Sequence, residues 1–198
     1  MVYIEAAARR PQLVAAARTA LAREGVARTS LRAVAAEAGV PLGTLQHVFP
    51  NKGLLLRAVI EDVVDEIAEV LKSSAQGDHG LEHAIRTALT TFWRALVESD
   101  WGLQVMQYEL TVYSLRTEGQ GELAQWQYER YADVVAEWCK SAAHQAGETC
   151  PVPFEQLARL MLAGMDGLIL QYVCDQNPKR SREDLDVLID TYVSLVRS

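Results

Sequence analysis

Apolar residues recur at spacings of three and four along almost the whole chain, and the breaks between these stretches are short. Runs that alternate polar and apolar residues, as a half-buried strand requires, are nearly absent. A chain patterned this way folds as packed helices, and about nine segments can be read from it. The first, about Arg10 to Arg23, sets Leu13, Val14, Ala17 and Leu21 on one stripe and ends at Gly25, a suitable C-cap. Ser30 N-caps a short helix Leu31–Ala38, which Gly39 stops. Pro41 suits the first turn of another short helix reaching about Val48. Pro50 breaks that helix, and Asn51 caps a fourth running from Lys52 towards Lys72. After a loop at Ser73–Gly80, amphipathic segments follow at about 81–98, 101–117, 121–146, 154–175 and 182–196. Their separators are Asp100, Gly119 with Gly121, Thr149–Pro153 and Asn177–Ser181, short enough for antiparallel helices in a bundle.

Charge divides the chain more sharply than periodicity does. Residues 1–58 carry eight Lys and Arg against three Asp and Glu, a net of +5, and the remainder carries −12. A basic head on an acidic body is the pattern of a phosphate-binding module joined to a domain of another kind. Three cysteines, Cys139, Cys150 and Cys174, with no CxxC spacing exclude a disulfide scaffold and a four-cysteine zinc site. The N-terminus has no apolar core of signal-peptide length, and no apolar run approaches 18 residues. A cytoplasmic protein with no membrane partner is the expectation.

The informative segment is Thr29–Lys52. Two short helices around a Gly39 turn pack at a steep angle only if the facing residues are small or moderate in size. Ala35 and Ala38 allow the close approach; Val34, Val40, Leu45 and Phe49 supply the core. That leaves Leu42, Gly43, Thr44, Gln46 and His47 facing outward. Such a short-chained polar face is what a recognition helix needs to enter a major groove about 12 Å wide.

The run Ser30-x-x-x-Val34-Ala35-x-x-Ala38-Gly39-Val40, then Gly43-Thr44-Leu45, then Phe49-Pro50-x-Lys52 with Leu54 and Leu55, resembles the DNA-binding signature of TetR/AcrR regulators. The close match covers about 25 residues, and the helix count and chain length are similar as well. The resemblance implies an all-α fold: a three-helix helix-turn-helix domain over residues 1–57, and a helical ligand-binding and dimerisation domain over 58–198. It also implies roles. Ser30 caps its helix and meets phosphate; Arg32 reaches a phosphate or a guanine edge. Thr44 donates to the DNA backbone, and Gln46 and His47 contact base edges or backbone. Lys52 and the amides opening the fourth helix attract a phosphate. Leu42 meets a thymine methyl or is an incidental exposed leucine. This chain departs from the family pattern at Gln46, where tyrosine is usual, and at Val48, where histidine is frequent.

The family reading requires a dimer interface and an effector pocket in the body. Residues 154–175 and 182–196 are apolar around more of their circumference than one core-facing stripe needs, and Ala163, Gly164 and Gly167 permit close helix approach. The resemblance implies that these two segments pair with their twofold copies. For the effector, the large side chains favoured as contacts are Trp93, Met106, Tyr113, Trp126, Tyr131 and Met165, although residues at such spacing serve equally as core. Glu109 and Arg116, seven apart, either pair on one helix face or orient a polar ligand.

Catalytic motifs are missing: there is no glycine-rich phosphate loop, no GxSxG and no defensible triad. His79 and His83 sit four apart, but no carboxylate or cysteine pattern completes a metal site. The expectation is a non-enzymatic, cofactor-free and metal-free transcriptional repressor: a homodimer on a pseudo-palindromic duplex operator, released by a small-molecule effector. The competing readings are a helical enzyme or small-molecule carrier with a vestigial helix-turn-helix, and a helical adaptor whose last helices bind a different protein.

Overall fold

The expected punctuation is present as caps. The computed structural model describes residues 6–74 and 79–197. Among these, nine α-helices and one π-helical turn form an all-α fold with no strand. The helices are α1 (Ala6–Glu24), α2 (Leu31–Glu37), α3 (Leu42–Val48), α4 (Lys52–Ser74), α5 (Gly80–Phe92), α6 (Trp101–Arg116), α7 (Gly121–Ala146), α8 (Phe154–Cys174) and α9 (Pro178–Val196). Of the loop expected at Ser73–Gly80, positions 75–78 lie outside the described residues; Ser73 and Ser74 belong to α4 and Gly80 opens α5.

Two boundaries differ from the sequence reading for identifiable reasons. The Asn177–Ser181 stretch, read as a break, is the first turn of α9. Asn177 Oδ1 accepts from the Arg180 amide at 3.1 Å, and Pro178 occupies a position where its missing N–H costs nothing. The segment read as one helix over 81–98 changes pitch at Trp93, and residues Trp93–Glu98 form the π-helical turn. There the fully buried Trp93 donates its indole N–H to Glu98 Oε1, five residues on, at 3.0 Å.

The chain divides into two compact units. The first takes the residues up to Val63 together with Gly102–Gln127. Its core includes Leu13, Leu21, Val26, Leu45, Phe49 and Leu56, with Met106 and Leu110 from α6 equally buried. The second takes Val64–Trp101 and the residues from Tyr128 onwards, around Ile85, Trp93, Leu157, Ile189 and Val193.

In the second unit α8 and α9 pack closely because Gly164 leaves room. A Cβ there would overlap the Tyr192 hydroxyl, which donates to the Leu160 and Met161 carbonyls at 3.1 and 3.2 Å. Glu98 receives a two-pronged contact from Arg182 at 2.7 and 2.6 Å, which holds its carboxyl below the usual range. An 18-residue window of α8 has a mean hydropathy of 1.3, enough for a membrane span by length and composition, which the sequence reading did not anticipate. Yet Leu157, Met161, Leu168 and Tyr172 of this helix are core, and one such helix is no sign of a membrane protein.

Gly164→Ala is expected to destabilise the fold by about 1–3 kcal/mol through overpacking, seen as a lower urea midpoint at unchanged m. Burial pushes the Cys139 thiol up to about 12, so iodoacetamide at pH 8 should spare it in the native protein and alkylate exposed Cys174.

Candidate nucleic-acid interface

The α2–α3 pair is closed by its own backbone. Ser30 Oγ accepts from the Ala33 amide at 3.2 Å and starts α2. At the other end Gly39 takes a positive φ of 66°. Its N–H bonds to the Ala36 carbonyl at 3.1 Å, and that of Val40 to the Ala35 carbonyl at 2.9 Å. These two bonds are the Schellman closure that a left-handed residue after a helix makes possible. Pro41 flanks α3 rather than entering it, and its carbonyl accepts from Thr44 and Leu45 at 2.9 and 3.3 Å.

Inward and outward residues of this pair then separate cleanly. Val34, Ala35, Leu45 and Phe49 are buried. Gly43, Gln46 and His47 are exposed or half-exposed, as are Ser30 and Arg32; Leu42 and Thr44 are half-buried. The structure thus brings seven of the eight sequence-predicted contacts, all but Lys52, to the accessible side of α2 and α3.

Most of the basic charge in the head is already engaged. Arg10 pairs with Glu61 at 2.9 Å and Arg18 with Asp62 at 2.6 Å, both on α4. Arg23 bridges Glu24 and Glu37 at 2.9 and 2.7 Å, and Arg28 donates to the Glu24 carbonyl at 2.7 Å. Arg57 lies 4.2 Å from the Trp126 ring centroid and 3.6 Å from Glu61. Among the described residues Arg32 has no such engagement. It is the base best placed to meet a phosphate or a base edge beside α3.

Lys52 is turned inward. Its ammonium donates to the Val26 carbonyl at 2.5 Å and sits 4.7 Å from the Tyr113 ring centroid. Burial lowers its pKa. Asn51, at the same helix start, caps α4 through Oδ1 to the Leu54 amide at 2.9 Å. Glu109 does not pair with Arg116: its Oε2 accepts from the Val26 amide at 2.8 Å.

The six effector candidates fall in both units. Met106, Tyr113 and Trp126 belong to the first, the latter two beneath Lys52 and Arg57. Trp93, Tyr131 and Met165 are buried in the second. Trp93 meets Tyr172 edge-on at 5.5 Å, and Tyr131 packs edge-on against Tyr128 at 6.1 Å. Beside Met165, Asp166 accepts from the Tyr128 hydroxyl at 2.9 Å; burial raises its carboxyl and this hydrogen bond pulls it partly back. Among the described residues no group of three or more His, Cys, Asp or Glu is arranged to hold a metal ion.

Residues 13–59 match the model of the N-terminal domain described as "Bacterial regulatory proteins, tetR family". Residues 13–59 are thus similar to the N-terminal domain of tetR-family regulatory proteins. It is 27% identical over 188 residues to the HTH-type nicotine-responsive transcriptional repressor HdnoR of Paenarthrobacter nicotinovorans, covering 95% of both chains. GusR of Salmonella enterica shares the fold at a TM-score of 0.75 and 20% identity, with 99% of each chain covered. SmeT, repressor of a Stenotrophomonas maltophilia multidrug efflux pump, was solved with triclosan; its TM-score is 0.70 at 21% identity, covering 94% of this chain and 90% of that one.

Sequence reasoning did not find the partners of the α1–α2 turn. Glu109 is 83 positions from Val26, and no local pattern links a carboxylate on α6 to a backbone amide at that distance. Gly39 and Gly43 differ in backbone conformation: Gly39 takes a positive φ and Gly43 does not. Gly39→Ala forces a side chain into the left-handed region and should cost about 1–2 kcal/mol. Gly43 lies within α3 with open space where a Cβ would stand, so Gly43→Ala should instead stabilise by roughly 0.5–1 kcal/mol. Urea unfolding of both variants checks the pair.

Proposed function

We propose that this transcriptional regulator is a ligand-responsive repressor that binds a pseudo-palindromic duplex operator as a homodimer. In this reading residues 1–57 read DNA, and residues 58–198 carry the effector and dimer surfaces. The observation that carries it is the outward side of α2 and α3, where Ser30, Arg32, Gly43, Gln46 and His47 lie accessible. Leu42 and Thr44 flank that face. One α3 from each protomer enters a major groove, with half-site centres about 34–36 Å apart or a multiple of that.

Dimerisation through α8 and α9 is supported by apolar residues left facing solvent. Leu160, Leu170 and Val187 are 43%, 51% and 68% exposed, and Ala163 and Gly167 of α8 are exposed as well. A twofold partner that covers them removes a face with no other use in the protomer. The effector reading is supported by the nicotine-responsive relative. Trp93, Tyr131 and Met165 of the second unit are the contacts proposed for it, while Tyr113 and Trp126 are engaged instead by Lys52 and Arg57. An effector shifts the population off DNA by no more than its differential affinity for the two states.

Three outcomes are expected. Purified protein retains a duplex from the region upstream of its own gene at low salt, and affinity falls steeply as salt rises. Arg32→Ala weakens retention and flattens that dependence, because a cation at the phosphates is lost; an unchanged slope removes Arg32 from the interface. The protein sediments as a dimer at micromolar concentration, and Leu170→Asp with Val187→Glu yields monomers. Nicotine is the first effector probe, read as release of labelled duplex at fixed salt. Failure to retain any duplex at low salt refutes the reading.

A further inference from the structure

The Gly25–Val26 turn joins α1 to α2, and each of its polar groups is held from a different place. Gly25 has a φ of 83°, and its carbonyl accepts from both the amide and the hydroxyl of Thr29, at 3.1 and 2.8 Å. Val26 is fully buried, so its peptide groups need protein partners. Its N–H goes to Glu109 of α6 and its carbonyl to Lys52 of α4, while the Lys52 ammonium rests over Tyr113, one turn beyond Glu109 on α6. A Cβ on Gly25 would stand 3.1 Å from Glu109 Oε2, so the carboxylate approaches the turn closely.

We infer that Lys52 is a positioning residue and not a phosphate contact: with Glu109 and Tyr113 it forms a latch that ties the α1–α2 turn to α4 and α6 and thereby fixes the start of α2. This rests on the DNA-binding reading above. The turn leads in four residues to Ser30 and in six to Arg32, so its placement governs where that guanidinium and the α2 N-terminus stand. The Val26 carbonyl and the Tyr113 ring hold the ammonium at the α1–α2 turn, where its charge serves the turn's own backbone. The latch also gives α6, which is remote in sequence from the head, a direct grip on the head's backbone. Any change that moves α6 is therefore felt at the α1–α2 turn.

A phosphate-contacting lysine and a latch lysine predict different salt behaviour. Replacing the former by a neutral residue releases fewer counterions on binding and lowers the slope of log affinity against log salt by about 0.9 per contact. Replacing the latter weakens binding equally at every salt concentration. The full-length dimer is titrated with labelled duplex at several salt concentrations as wild type, Lys52→Met, Glu109→Ala and Tyr113→Leu. Hydrogen exchange of the peptide spanning 22–30 is followed in parallel. The latch predicts that all three variants lose affinity about 3–10-fold at unchanged slope, with faster exchange in that peptide. Tyr113→Leu matters most if Lys52→Met misfolds, because it leaves the lysine charge in place and a phosphate contact would survive it.

A slope reduced in Lys52→Met by the amount of a phosphate contact, or full affinity in both Glu109→Ala and Tyr113→Leu, overturns the inference. Wild-type protein that retains no duplex defeats the DNA-binding reading instead. In that event unchanged exchange in the variants still overturns the latch, and faster exchange upholds its structural half.

Discussion

Helices α2 and α3 have seven residues each, fewer than an isolated helix needs to persist in water. They exist because Val34, Ala35, Leu45 and Phe49 are buried against the first unit's core, and because the Gly39 closure satisfies carbonyls that would otherwise be orphaned. The interface side of the molecule is therefore a by-product of its inner side. Gln46 and His47 point outward because Leu45 and Phe49, one turn apart, cannot. A polar substitution at Leu45 would disturb the outward face without altering any residue on it.

The same dependence shows in the electrostatics. A net of +5 over residues 1–58 signals a nucleic-acid partner, but the formal count overstates the charge left to meet one. Arg10, Arg18 and Arg23 lie in ion pairs with α4 or α2, and Lys52 and Arg57 lie against aromatic rings. Exposed pairs of this kind contribute little to stability, and they are screened by salt. Their larger effect is to hold the head's long side chains near its own surface, which leaves short residues and Arg32 on the outward side of α2 and α3.

Much of this is legible in the residues. Caps at Ser30 and Asn51, stops at Gly25 and Gly39, and the inward positions of the helix-turn-helix all follow from local chemistry that needs only a few neighbouring residues. The start of α9 is local too: Asn177 followed by Pro178 is an N-cap signature, although a polar run containing proline reads equally as a break. What cannot be read is long-range. Tyr113 and Trp126 look like pocket aromatics by type and spacing, and nothing in the sequence says that Lys52 and Arg57 lie over them. Lys52 shows the limit well: its position at the start of α4 points to a phosphate, and only its tertiary partners turn it inward.

The π-helical turn at Trp93–Glu98 carries a consequence for how this chain tolerates length changes. A π-turn holds one residue more than the α-helical turn it replaces, and it is commonly the trace of an insertion absorbed within a helix. Removing a single residue there would restore ordinary pitch to the last turns before the Ser99–Asp100 break, whereas the same deletion within α5 would rotate every following side chain of that helix by about 100°. The segment is thus a place where the end of the helix can take up a change of length, at the cost of the Trp93–Glu98 bond and of the Arg182 contact that Glu98 also receives.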